Sequence, residues 1–148
     1  MSAERAVVVE CGAAEDGFVA VAIDAVTERG STCFVTASGY RPPQFGSIIS
    51  REFRFRDVLV CSWGFPPGDV LMASRGYLAD CAGWLVVVEN SPWLRELRRQ
   101  NATMYESGTG QVWRPYRHFI LKAEDSSFEC LASGPVESDV PIAIGPCR

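Results

Sequence analysis

The stretch Trp-Leu-Val-Val-Val-Glu, residues 84–89, is apolar without a break until its last position. Three consecutive β-branched residues favour an extended chain over a helix. Apolar and polar residues do not alternate, so both faces of the strand must be covered. A sheet wet on one side would leave every second side chain of this run in water. The chain therefore has to supply a sheet with a packed layer on each face. Val58 to Cys61, inside "RDVLVCSW", make the same demand.

What lies between and after these runs suggests the covering layers. "GFPPG" breaks the chain after the first run, and Asp69 stands in position to cap a helix of about 70–81 within "VLMASRGYLADCA". Gly76 weakens that helix and Gly83 stops it. Beyond the second run, Ser91 caps and Pro92 opens a helix of about 92–102, with Trp93, Leu94 and Leu97 as its buried stripe. Strand, helix, strand, helix at this spacing predicts two parallel neighbouring strands joined by a right-handed crossover.

The flanks read as hairpins. Residues 5–11, "RAVVVEC", suit a strand, and 17–39 suit a hairpin turning at "ERG", where Gly30 supplies a positive φ. The same residues also suit a helix from 18 to 29 stopped by Gly30. Residues 51–63 read as one extended segment whose first half alternates charged and aromatic side chains. The expected fold class is thus α+β: a mixed sheet with one βαβ unit in the middle of the chain, two main helices, and hairpins at both ends. Its 148 residues suit a single globular domain spanning 1–148, long enough to bury ~70% of the unfolded chain's surface.

The C-terminal hairpin, 112–123 with 128–133, decides a question of chemistry. Its apolar pattern pairs Leu121 with Cys130 and Lys122 with Glu129, across a turn centred on Asp125 and Ser126. Phe119, Leu121, Ala123, Phe128, Cys130 and Ala132 then share a core face, and His118, the only histidine, points the other way. His118 and Cys130 are therefore not a nucleophile and its base. "EDSSFECLA", following a helix led by proline and tryptophan and rich in arginine, resembles a C-terminal hairpin of small uncharacterised bacterial proteins. There the turn runs closer to His-Asp-Ser-Thr-Phe-Glu, and Glu124 stands here in place of that histidine. The resemblance covers about the last third of the chain and implies no activity.

Charge and cysteine usage narrow the function classes. A net charge of −4 disfavours nucleic acid and anionic membrane as partners. No apolar run approaches the ~20 residues of a membrane helix, and the N-terminus has no signal-peptide pattern, so the expected location is the cytoplasm. Six cysteines at 11, 33, 61, 81, 130 and 147 form no C-x-x-C pair, so no disulfide, metal site or cofactor is expected.

Two groups of residues remain. Arg98, Arg99, Trp113, Arg114, Tyr116 and Arg117 make a basic, aromatic region of the types enriched at interface hot spots. Trp63, Asp69, Glu89, Asn90 and Ser91 would gather as a ligand cleft beyond the ends of parallel strands. With one histidine and no nucleophile motif, the leading expectation is a small binding or accessory protein that recognises a protein partner through the first group. The alternative is a small-ligand protein or enzyme using the second.

Overall fold

The computed structural model describes residues 8–14, 18–40, 48–68, 70–71, 84–89, 91–104, 115–139 and 142–146. In chain order the elements are β1 (Val8–Ala14), β2 (Val19–Arg29), β3 (Thr32–Tyr40), β4 (Ile49–Phe55), β5 (Val58–Gly64), β6 (Leu85–Glu89), α1 (Pro92–Met104), β7 (Arg117–Lys122), β8 (Ser127–Ala132), β9 (Val136–Ser138) and β10 (Ile142–Pro146). The strands form a six-stranded sheet, ordered β10-β1-β6-β7-β8-β5, and a four-stranded sheet, ordered β2-β3-β4-β9. Every pairing in both is antiparallel.

This overturns the expected mixed α+β sheet. β5 and β6 are not parallel neighbours: β7 and β8 lie between them, and the three antiparallel steps make the two strands run in opposite directions. Continuous apolar runs require cover on both faces, and parallel pairing is only one way to obtain it. Here the four-stranded sheet covers the face of β6 that carries Leu85 and Val87, and α1 packs on the opposite face of the sheet at β7. Of the expected helix over 70–81, Val70 and Leu71 are helical and residues 72–81 lie outside the described residues. Within 18–29, Val19–Arg29 is strand, turned into β3 by Gly30 at φ +59° with Arg29 opposite Thr32.

The core lies between the sheets. Phe18, Phe53 and Phe55 from the four-stranded side meet Trp84, Phe119 and Phe128 from the six-stranded side, with ring centroids 4.7–5.9 Å apart. Each phenylalanine so buried contributes up to ~3 kcal/mol. Strand β4 shows the expected alternation, Phe53 and Phe55 inward and Glu52 and Arg54 outward. Arg51 also lies inward, its guanidinium 4.8 Å above the Phe18 ring.

The extended segment expected over 51–63 is broken at Asp57, whose φ of 53° turns the chain from one sheet into the other. The corner is fixed by Ser133 N–H donating to the Asp57 carbonyl and Gly134 N–H to that of Arg56. Beyond it β5 is an edge strand with a bulge between Val58 and Val60, not a strand covered on both sides. No helix among the described residues is long and apolar enough to cross a membrane.

Candidate functional site

Among the described residues expected to form a strand-end cleft, Trp63 does not gather with Glu89. Ser91 is fully buried and serves α1: its hydroxyl accepts the Leu94 N–H at 3.2 Å and its carbonyl accepts that of Arg95. Trp63 stands opposite Phe128, which faces Leu121, which faces Leu85, so it aligns with the far end of β6 from Glu89. Three strand spacings and four residues separate Trp63 from Glu89, roughly 14 Å across and 13 Å along. Asp69 and Asn90 lie outside the described residues. The cleft needs parallel strands ending at one edge, and antiparallel strands place those ends at opposite edges.

The arginine-aromatic group is partly visible. Arg98 and Arg99 are exposed on α1, where Glu96 accepts hydrogen bonds from Arg99 at 2.6 and 3.1 Å, holding the Glu96 carboxyl below its usual range. Tyr116 and Arg117 are half-buried at the start of β7, while Trp113 and Arg114 lie outside the described residues. Arg117 donates to Glu89 at 2.7 Å, so one member of each expected group meets the other in a half-exposed ion pair. Such a pair contributes at most about 1 kcal/mol.

His118 has a different partner from any expected. Its Nε2 lies 2.8 Å from Glu129 Oε1, both side chains buried on the face that α1 covers, and Trp93 meets the imidazole edge-on at 5.1 Å. The expected pairing of Lys122 with Glu129 is replaced by Lys122 with Ser127 and Ile120 with Glu129, a slip of two residues. Because side chains alternate with period two, that slip keeps every residue on its expected face. Cys130 accordingly sits in the inter-sheet core, on the other side from His118. The His118–Glu129 pair is buried and joins β7 to β8.

The described surface is most unusual along β5. Leu59 and Trp63 on the strand, then Phe65 and Val70 beyond it, are exposed large apolar residues, Phe65 at 87%. Among the described residues β5 pairs with no strand but β8, and along its other side Val58 N–H donates to the Ser31 carbonyl while no further strand pairs there. Other edges carry protection: Asp24, Glu28 and Arg29 on β2, Glu137 on β9, Pro146 on β10. From Leu59 to Phe65 there is no charge and no proline.

The loop that follows is held firmly. Ser127 Oγ donates to the Pro66 carbonyl at 2.9 Å, and Gly68 N–H to the Ala123 carbonyl at 3.0 Å. Gly68 lies against Lys122 so closely that a Cβ there would come within 2.3 Å of the lysine Cβ and 2.7 Å of its Cα. Phe65 is thus projected from a fixed backbone. One sequence signal does point to it: an aromatic between glycine and two prolines has no strand or helix to bury it. The exposure of Leu59 and Trp63 has no such signal, because their run reads as interior.

Comparison with protein-family models, with curated proteins and with solved structures finds no match to this chain.

Proposed function

We propose that the chain is a protein-binding module that takes an extended segment of a partner protein along the open edge of β5. The observation that carries this reading is Phe65, 87% exposed on a loop tied by hydrogen bonds to the β7–β8 hairpin, next to an uncharged edge strand bearing Trp63. An added strand takes affinity from main-chain hydrogen bonds and specificity from side-chain anchors. Aromatic residues held in place are effective anchors, because little of their freedom remains to be lost on binding. The recognition surface therefore moves from the arginine-aromatic group to β5, and the partner segment is one with apolar side chains at alternate positions.

The test is selection from a display library of random peptides against the full chain, followed by titration of the enriched peptides. Trp63→Ser or Phe65→Ser should weaken binding about 30-fold, the equivalent of ~2 kcal/mol, with little change in melting temperature. Hydrogen exchange at 60–64 should slow in the complex. Enriched peptides indifferent to both substitutions would overturn the reading, as would sedimentation showing that a second copy occupies this edge and that Trp63→Ser releases it.

A further inference from the structure

The β2–β3 hairpin and the more distant strand β5 bring two thiols and a carboxylate together where the sheets meet. Glu28 on β2 is the direct cross-strand partner of Cys33 on β3, so both side chains leave the same face, the one turned to the six-stranded sheet. Cys61 on β5 comes from the opposite sheet, paired with core-facing Cys130. The juncture is fixed close by, where Val58 N–H donates to the Ser31 carbonyl at 2.7 Å between β5 and the β2–β3 turn.

The three side chains converge. Cys61 Sγ donates to Glu28 Oε1 at 2.9 Å, Cys33 Sγ lies 3.9 Å from the same oxygen, and all three ligand atoms fall within 4.8 Å of one another. A tetrahedral zinc ion with Zn–S of ~2.3 Å and Zn–O of ~2.1 Å needs ligand atoms roughly 3.6–3.8 Å apart. The observed separations bracket that spacing, and sub-ångström side-chain adjustments reach it. Cys33 is buried, Cys61 half-buried and Glu28 exposed, so the position left after three protein ligands opens to water.

We propose that Glu28, Cys33 and Cys61 bind a thiophilic divalent cation of the zinc class, with water as the fourth ligand. Two thiolates and a carboxylate form a soft, anionic set that selects such an ion over magnesium or calcium. Without metal, two thiol protons lie toward one carboxylate oxygen. One dication replaces both protons, so binding releases them to solvent. Burial, foremost, raises both thiols above the usual range.

Cobalt(II) titration of the reduced full chain provides the test, since thiolate ligation gives an intense near-ultraviolet charge-transfer band. One equivalent should produce the band, zinc should displace it, and about two protons should be released per ion bound. Cys61→Ser should abolish the band or weaken binding more than about 100-fold, and Glu28→Gln should weaken it about 10-fold. Both positions lie at the surface side of the site, so circular dichroism should show a folded chain in each variant. Cys130→Ser should retain the band. A folded wild-type chain giving no band at micromolar cobalt overturns the proposal. So does a band unchanged in Cys61→Ser, which would place the metal on other cysteines. Isolation of a Cys33–Cys61 disulfide whose reduced form takes up no cobalt does the same.

Discussion

Replacing both members of the buried His118–Glu129 pair should cost less than replacing either one. Glu129→Met leaves the imidazole buried under α1 without its 2.8 Å bond, and His118→Phe does the same to the carboxylate while keeping a ring against Trp93. Breaking a buried ion pair costs about 3–5 kcal/mol, and breaking a buried neutral hydrogen bond about 1–3. The double variant puts two apolar side chains of similar volume among Val86, Val88, Ile120 and Leu131, all fully buried. Such exchanges are often neutral or stabilising. Urea unfolding of the parent, both single variants and the double variant closes a thermodynamic cycle. At this size each kcal/mol moves the melting temperature by about 3 °C, so a single variant losing ~3 kcal/mol should melt ~10 °C lower. Single variants within ~0.5 kcal/mol of the parent would refute the reasoning. So would a double variant whose loss equals the sum of the two.

Two other outcomes follow from packing and protonation. Gly68→Ala should lose about 1–3 kcal/mol in the same unfolding assay, because the new methyl meets the Lys122 backbone as well as its side chain. The thiol of Cys130 is pushed well above its ordinary value of 9.0 by burial, chiefly, with Cys33 and Cys61 adding to it. Below about pH 9 the folded and unfolded chains both hold that proton, so it contributes no pH dependence. Above it the unfolded chain ionises while the folded one does not, and reduced protein should lose up to ~1.4 kcal/mol of stability per pH unit. Urea midpoints measured across this alkaline range should show a shallower decline in Cys130→Ala; an unchanged slope would contradict the assignment.

The limits of sequence reading here have particular physical causes. The run 84–89 was a sound guide to burial, since Leu85 to Val88 are all inaccessible, and a poor guide to topology. Burial on two faces does not distinguish a helix-covered parallel sheet from an antiparallel sheet held between a second sheet and a helix. The β7–β8 hairpin kept its faces and lost its register, because a two-residue slip preserves side-chain parity and changes only which residues meet. That change is what hid the His118–Glu129 pair. Their shared burial follows from the sheet order, which the sequence did not show: β7 pairs with β6, His118 stands opposite Val88, and that face is buried. The Glu28–Cys33–Cys61 cluster was beyond reach. Its spacing belongs to no local motif, and Glu28 meets Cys33 only once the β2–β3 register is set, and Cys61 only once the sheets are stacked.

Both proposed activities fall on β5 for a reason rooted in the fold. Strands β6, β7 and β8 of the six-stranded sheet are buried on both faces, with the second sheet on one and α1 packed at β7 on the other, so their side chains are committed to stability. An edge strand has one lateral neighbour and keeps half of its backbone for other uses. Such a strand usually frays, which makes it a poor platform. Here its two ends are fastened. At the N-terminal end, Ser133 and Gly134 hold the Asp57 and Arg56 carbonyls, and Val58 reaches Ser31. At the C-terminal end, Ser127 and Ala123 hold Pro66 and Gly68. What lies between, Val60 to Phe65, is uncharged, paired along one edge only among the described residues, and ordered as part of folding. A segment docking there meets a strand whose ordering cost is already included in the stability of the domain, and the binding energy of Trp63 and Phe65 goes to affinity.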